Sequence, residues 1–171
     1  MNPLVALAGR AIEEYIKEGK IISPPADLPE EFLEKKAGTF VTIMKNGELR
    51  GCIGTYLPTR INVAEEIIFN AIAAATEDYR FGPIQEKELN SLTYTVYLLG
   101  CPEPVRDIKE LNPEKFGIIV KTNPYKTGLL LPDLEGVDTI EKQVSIACQK
   151  GGIDPVQEKI FIYKFRVIKY Q

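Results

Sequence analysis

An Asn46-Gly47 dipeptide separates two segments of strand-like composition and predicts that they pair with each other. Asparagine and glycine tolerate the positive φ angles that a type I′ turn requires at both of its central positions. Thr39 to Lys45, before the turn, is rich in β-branched and apolar residues, and Leu49 to Thr55 follows as the return strand. The sequence therefore predicts an antiparallel hairpin in the first third of the chain.

The return strand carries Gly51 and Gly54 on either side of its thiol, Cys52. Glycine weakens a strand unless a bulge or a close approach of two backbones requires it. One interpretation is a bulged strand that crosses under a helix and buries the cysteine, since free cysteine is among the most buried residue types. The other is a functional site, and the spacing alone leaves both open.

Other elements can be predicted from periodicity and capping residues. The predicted helices begin at Asn2-Pro3, after Pro29, at Asn62 and at Asp138, and the further predicted strands are 92–99, 117–122, 128–132 and 159–169. A turn at Asn123 to Thr127 joins two of these strands as a second hairpin. Hairpins outnumber strand-helix-strand units, which favours an α+β fold with antiparallel β-sheet flanked by helices. We expect residues 1–171 to form a single domain, with a smaller second lobe beginning near residues 101–104, where prolines interrupt both ladders and helices.

The formal net charge is −3, and basic and acidic residues are intermixed along the chain. The sequence therefore shows no cluster of basic residues of the kind that binds nucleic acid. No apolar run approaches the length of a membrane span, and the N-terminus lacks the pattern of a secretion signal. We therefore expect a cytoplasmic protein that does not associate with membranes.

The chain has no histidine, which is the commonest general base near neutral pH. A Ser-His-Asp triad, a Cys-His pair and a histidine-based metal site are therefore excluded within this polypeptide. The three cysteines are scattered without a Cys-x-x-Cys pair, which argues against a disulfide framework and against a zinc or iron–sulfur cage. Chemistry at a site must use carboxylates, lysine, tyrosine, a thiol or a borrowed cofactor, whose identity the sequence leaves unknown.

Four blocks of the sequence, 38–42, 49–55, 78–81 and 128–132, have the order and spacing of a known set of motifs, and a fifth block, 143–153, follows them. The first four resemble the AMMECR-type domain family, and the fifth resembles its bacterial and archaeal branch, AmmeMemoRadiSam system protein A. The resemblance spans nearly the whole chain and implies the same α+β fold. It also implies an intracellular protein, often encoded with or fused to a Memo-type partner and a radical S-adenosylmethionine enzyme, which suggests a shared modification pathway. The family's biochemical activity is unsettled, so no substrate follows from the resemblance.

Arg50 and Cys52 form the first candidate constellation, because a reactive cysteine needs a nearby cation or a helix N-terminus to stabilise its thiolate. Residues two apart in a strand point the same way, so the two side chains share a face unless a bulge intervenes. The alternative makes Cys52 a packed thiol and Arg50 a salt-bridge partner of Asp78. Both interpretations stay open.

Asp78, Arg80 and Phe81 form the second constellation, and the resemblance implies that it lies beside the glycine-cysteine strand. Arginine offers a planar fork for a carboxylate or phosphate, and a flanking phenylalanine suits a flat substrate. Asp78 alternatively caps the turn, and Tyr79 stands where family members usually have proline. The candidate catalytic residues are Cys52 and Asp78, and the candidate substrate-binding residues are Arg50, Gly51, Gly54, Thr55, Arg80 and Phe81. We predict no metal ligands.

Three functions are open at this point. The first is an enzyme or enzyme subunit that acts with Memo-type and radical S-adenosylmethionine partners on a small anionic or nucleotide-like substrate, in a cleft lined by Arg50, Cys52 and Asp78. A non-catalytic binding or adaptor module is the second. Nucleic-acid binding is the third, and the charge balance favours it least.

Overall fold

The computed structural model describes residues 1–122 and 125–171, and its contacts divide the chain into two units. One unit comprises Met1–Leu99 with Ile168–Gln171, and the other comprises Gly100–Val167. Both combine antiparallel strands with helices, so the predicted α+β class is confirmed. Asn123 and Pro124, within the predicted second turn, lie outside the described residues.

The first unit is a four-stranded sheet with helices. Its elements are α1 (Pro3–Glu18), α2 (Glu30–Glu34), β1 (Thr39–Lys45), β2 (Glu48–Thr55), α3 (Val63–Thr76), β3 (Leu92–Leu99) and β8 (Val167–Tyr170). Strands are numbered in chain order, and β4 to β7 belong to the second unit. The strand order is β2-β1-β3-β8, so β2 lies at one edge of the sheet. This edge strand carries the predicted glycine-cysteine site.

Capping residues set the helix limits of this unit. The Asn2 side chain accepts a hydrogen bond from the Leu4 N–H, and Gly19 ends α1 in the left-handed region at φ 65°. Asn62 likewise caps α3 by accepting from the Glu65 N–H. Both helices pack on one face of the sheet, where their apolar residues form the core. The core includes Leu4, Ala8, Ile12, Val41, Ile43, Ile67, Ile68, Ala71 and Val96.

The predicted first hairpin is confirmed, with positive φ angles of 52° at Asn46 and 84° at Gly47. Its ladder contains a bulge: Ile43 lies opposite Gly51, whereas Met44 lies opposite Leu49. Arg50 is therefore the extra residue in β2, which decides the direction of the residues that follow it.

The second unit contains a separate four-stranded sheet. Its elements are β4 (Glu103–Pro104), β5 (Gly117–Thr122), β6 (Thr127–Leu130), α4 (Ile140–Lys150) and β7 (Ile160–Phe165), in the sheet order β4-β7-β5-β6. Helix α4 packs on β5 and β6 around a small apolar core. Thr139, not the predicted Asp138, caps α4, because the Thr139 side chain accepts from the Lys142 N–H while Asp138 pairs with the Lys142 ammonium.

The predicted strand over 159–169 is wrong, because two strands in two different sheets occupy that range. β7 ends at Phe165 and joins the second sheet, whereas β8 begins at Val167 and joins the first. The intervening Arg166 uses its carbonyl to accept from the Gly100 N–H at 2.9 Å. The apolar alternation continues across this break, so periodicity gives no signal of it.

Within residues 1–122 and 125–171, no helix has the length and apolar character that crossing a bilayer requires.

Candidate functional site

Gly51 and Gly54 are required by close packing around β2. A Cβ atom at Gly51 would lie 2.3 Å from the Ala74 carbonyl oxygen in α3, and one at Gly54 would lie 2.3 Å from the Thr39 carbonyl oxygen. Neither backbone oxygen can move away cheaply, so only glycine fits at these positions. Their predicted part in substrate binding stays a prediction.

The bulge at Arg50 turns Cys52 to the sheet face opposite the helices. Continuing the turn's register without the extra residue would place Cys52 opposite Val41, which is fully buried against the helices. The observed partner is instead Thr42, whose hydroxyl lies 3.2 Å from the Cys52 sulfur. Cys52 is consequently half-buried on the sheet face opposite the helices rather than packed in the core.

Asp78 follows the end of α3 and fixes the backbone of β2. Its carboxylate accepts from the Cys52 N–H at 2.9 Å, and it is only 5% exposed. The same carboxylate accepts from the Arg80 N–H and takes a two-pronged ion pair from Arg80 Nε and Nη2, at 2.9 and 2.8 Å. Hydrogen bonding to Arg80 lowers the pKa of Asp78 to about 2. Asp78 is thus a permanently ionised anchor at neutral pH.

Arg80 is held in place by Asp78 but keeps Nη1 outside this ion pair. Asp78 raises the pKa of Arg80, and the nearby Cys52 adds a smaller electrostatic contribution in the same direction. The Arg80 guanidinium also lies 5.1 Å from the centroid of the Phe81 ring, which is 37% exposed. Tyr79, at 94% exposure, points into solvent beside them. The loop therefore combines a fixed cation with accessible aromatic surface near the thiol.

Arg50 has a different partner from the one considered in the sequence. It forms a two-pronged ion pair with Glu88, with Nε and Nη2 each 3.0 Å from a carboxylate oxygen, and not with Asp78. It also donates to the Gly82 and Pro83 carbonyls at 3.1 and 3.3 Å. Arg50 thereby fastens the segment from Gly82 to Glu88 to the edge strand, and most of its donors are already used.

Glu88 was not singled out by sequence reasoning. It is buried and also accepts from Lys45 at 2.8 Å and from the Gln85 N–H at 2.9 Å. Arg50, followed by Lys45, lowers the pKa of Glu88 to about 2. The capping-box spacing from Gln85 to Glu88 was the available signal for this residue, but it gives no hint of the two cations.

Thr55 belongs to a second network that sequence reasoning missed. Its hydroxyl donates to Glu66, which is 1% exposed, and accepts from the Asn70 amide at 3.1 Å. Glu66 also accepts from the Thr59 and Arg60 N–H groups, both at 2.8 Å. These contacts hold the loop after β2 against α3, and they give Thr55 a structural task; its predicted substrate contact stays a prediction.

The signal for this network was a polar pair at positions i and i+4 of α3. Glu66 and Asn70 stand one helical turn apart beside the apolar stripe, so they lie on a common face that packs against the sheet. A buried carboxylate needs donors, and Thr55 of β2 and the loop after it supply them to Glu66, while Thr39 of β1 accepts from the Asn70 amide.

The structure brings Cys52, Asp78, Arg80 and Phe81 together and assigns Arg50 and Thr55 to neighbouring anchors. In the described ranges, 1–122 and 125–171, no group of three or more acidic or cysteine side chains is arranged to hold a metal ion. The arrangement offers a thiol, a hydroxyl and an oriented guanidinium, and it suits an anionic group better than a cation.

Comparison with known proteins gives matches along nearly the whole chain. The sequence profile of the AMMECR1 family matches residues 5–170. A protein of Thermotoga maritima is 52% identical over 171 residues, covering 99% of this chain and 98% of the relative. One from Clostridium acetobutylicum is 43% identical, with 99% of this chain matching 36% of that longer protein. An uncharacterized protein of Pyrococcus horikoshii has a similar crystal structure, with a TM-score of 0.89, 36% identity and coverage of 97% of this chain and 88% of that one.

Proposed function

This chain belongs to the AMMECR1 family, and from that premise we propose that it is an enzyme or enzyme subunit that binds a small anionic or nucleotide-like substrate beside Cys52. The observation that carries the proposal is the Arg80 guanidinium, which Asp78 holds in a fixed orientation close to the thiol while Nη1 stays outside the pair. A pre-oriented guanidinium binds a carboxylate or phosphate at a lower entropic cost than a free one.

The neighbouring ring supports a substrate with a flat portion. Phe81 is partly exposed directly beside Arg80, so a molecule whose anionic group binds the guanidinium can cover this ring with an apolar or aromatic body. The anion and the flat group together define the nucleotide-like class.

Cys52 is the proposed reacting group. Its sulfur lies beside Thr42 on the sheet face opposite the helices, and its backbone is fixed by the bond from its N–H to Asp78. The Thr42 hydroxyl beside the sulfur can donate to it or accept from it. Cys52 therefore has the fixed position that a nucleophile or a soft ligand needs.

Asp78 acts by positioning in this proposal. All four of its described hydrogen bonds stabilise the ionised carboxylate, so a proton transfer near neutral pH must use another group. The catalytic role predicted for Asp78 from sequence stays a prediction. We extend the proposal to a Memo-type protein and a radical S-adenosylmethionine enzyme as cytoplasmic partners, which would supply chemistry that a histidine-free chain does not.

A non-catalytic binding module is the second candidate. It is favoured because the Asp78 carboxylate already accepts four hydrogen bonds. A site whose carboxylate and guanidinium are already paired can hold an anionic ligand without changing it. Covalent change at Cys52 during turnover distinguishes the enzyme from the module.

The proposal is tested by comparing two alkylating reagents of similar size and different charge. Iodoacetate is anionic and iodoacetamide is neutral, so the ratio of their rates at Cys52, followed by mass spectrometry, reports the local positive potential. We expect the ratio to be higher at Cys52 than at the exposed Cys101, and to fall about fivefold in Arg80→Gln, since one charge at close range in water contributes about 1 kcal/mol.

Arg106→Gln is the matched control, because Arg106 is an exposed arginine of the second unit and its loss leaves Asp78 and Cys52 untouched. Inorganic phosphate and adenosine monophosphate should each slow iodoacetamide labelling of Cys52 and leave Cys101 unaffected. Equal reagent ratios at Cys52 and Cys101, unchanged by Arg80→Gln, would contradict the proposal.

A further inference from the structure

A groove of about 610 Å³ lies beside α1, within the first unit. Its apolar lining comes chiefly from Val5, Gly9, Leu89, Leu92 and Tyr94. Tyr94 lies opposite Ile43 on the helix-facing side of the sheet, whereas Cys52 lies on the other face. The groove is therefore separate from the Cys52 site, and its volume is in the range that small-molecule sites occupy.

The Gly9–Tyr94 contact creates the floor of the groove. A Cβ atom at Gly9 would lie 3.0 Å from Cε2 and 3.2 Å from Cδ2 of the Tyr94 ring. Glycine in the middle of a helix costs about 1 kcal/mol relative to alanine. At this position it allows the ring to lie directly against the α1 backbone, and a flat apolar surface results.

Two polar groups at the groove lack partners. In residues 1–122 and 125–171, no carboxylate pairs with the Arg10 guanidinium, although both Arg10 and Glu13 line the groove. Glu13 is already engaged by Lys17 in an ion pair on the same helix. Among the described residues that line the groove, Arg10 is therefore the one cationic side chain, and it has no carboxylate partner.

The Tyr94 hydroxyl is the second group, and it makes no hydrogen bond within the described part of the chain. Burial, with a contribution from Glu13, raises the pKa of Tyr94 to about 12. The hydroxyl therefore stays neutral and able to donate at physiological pH. A guanidinium and a phenol that both offer donors at an apolar groove match an acceptor with a negative charge.

We propose that this groove binds an amphipathic small molecule whose apolar body lies on the Gly9–Tyr94 floor and whose single carboxylate pairs with Arg10. The size of the groove accommodates a medium-chain or aromatic acid, and the unpaired Arg10 guanidinium matches a single carboxylate. Binding here is independent of the function proposed for Cys52.

Decanoate is the probe for a first test. Decanol is the control that has the apolar chain without the charge, and acetate is the control that has the carboxylate without the long apolar chain. Isothermal titration calorimetry gives the affinities, and the amide NMR signals of Gly9 and Leu92 locate the binding. We expect decanoate to bind at least tenfold more tightly than decanol and acetate not to bind measurably, as a charge-assisted hydrogen bond predicts.

Three variants assign the effect to residues. Arg10→Gln should weaken decanoate binding about tenfold and Tyr94→Phe about threefold, whereas neither should change decanol binding. Lys20→Gln removes another exposed cation just beyond α1 and should leave both affinities unchanged.

The proposal is overturned if decanoate and decanol bind equally well, if Arg10→Gln leaves decanoate binding intact, or if millimolar decanoate does not shift the Gly9 and Leu92 signals. Arg10 is exposed, so its substitution leaves the core in place, and circular dichroism verifies that each variant is folded. The Cys52 alkylation assay is run on the same variants, and its result is expected to stay unchanged.

Discussion

The carboxylates that determine the local structure around Cys52 are saturated with donors. Asp78 holds Cys52 and Arg80, Glu88 holds Arg50 and Lys45, and Glu66 holds the loop after β2. A buried carboxylate that loses such donors keeps the full cost of its desolvation. These residues thus fix the geometry on which the proposed chemistry depends.

Replacing Asp78 with asparagine should lower stability in a pH-dependent manner. The native pKa of Asp78, about 2, is below the value of about 4 in an unfolded chain, so its stabilisation is present above pH 4 and is lost as the pH falls towards 2. We expect Asp78→Asn to reduce the free energy of unfolding by roughly 2 kcal/mol at pH 7. Urea denaturation at pH 7, 4 and 2.5 measures the difference.

The difference between wild type and Asp78→Asn should shrink at pH 2.5, because this position is then protonated in the unfolded chain and the folded carboxylate is close to its own pKa. Asp27→Asn, at an exposed aspartate of the same unit, should change stability by less than about 0.5 kcal/mol. A deficit for Asp78→Asn that is constant across this pH range would show that the charge is not responsible.

The family resemblance implied that the Asp78–Phe81 loop lies beside Cys52, but the sequence did not establish which way Cys52 points. That direction depends on a single unpaired residue, Arg50, whose presence in the ladder has no compositional signature. The partner of Arg50 was likewise unpredictable, since Glu88 is 38 residues away along the chain.

At the scale of elements, the contact between β2 and α3 depends on the absence of a side chain at Gly51. The helix backbone occupies the space that a Cβ atom would need, with the Ala74 carbonyl oxygen as the obstacle. Ala74 lies in the last turn of α3, so this contact holds the end of the helix from which Asp78 and Arg80 follow.

Gly51→Ala should force β2 and α3 apart and destabilise the first unit by about 1–3 kcal/mol, as overpacking does. Gly100→Ala is the matched control, because its added Cβ would meet nothing closer than 3.5 Å and should change stability by less than about 1 kcal/mol. Thermal unfolding with a reporter in each unit measures both. Equal effects of the two substitutions would show that the close approach is not a constraint.

Helix limits were the most predictable part of the fold, because Asn2, Gly19 and Asn62 act locally through caps. The first hairpin followed in the same manner from Asn46-Gly47. The division of 159–169 into two strands depends instead on the sheet that each half joins. The strands of those sheets are formed by residues far away in the sequence, so the local sequence does not show the division.

At the scale of the whole molecule, the first unit is discontinuous in sequence. Strand β8 adds a fourth strand beside β3 and brings Tyr170 edge-on to Phe32, with ring centroids 6.4 Å apart. The first unit thus includes four residues from the end of the described chain, after the second unit has intervened.

Deleting residues 168–171 should destabilise the first unit by about 1–3 kcal/mol, because burial of the Tyr170 ring and the pairing of β3 are lost. Hydrogen exchange should accelerate at Val96 in β3 and stay unchanged at Val120 in β5. Deletion of Gln171 alone, which lies beyond β8, is the control. Unaltered exchange at Val96 would mean that β8 adds nothing to the first unit.

The return of the chain at β8 has a consequence during synthesis on the ribosome. Most of the first unit emerges before any of the second, yet β3 has no β8 neighbour until the residues that follow the second unit leave the exit tunnel. A nascent chain therefore presents an open sheet edge throughout translation of the second unit, and such an edge is a template for pairing with another chain. The emergence of β8 closes that edge, so the first unit completes its sheet only after the whole second unit has been synthesised.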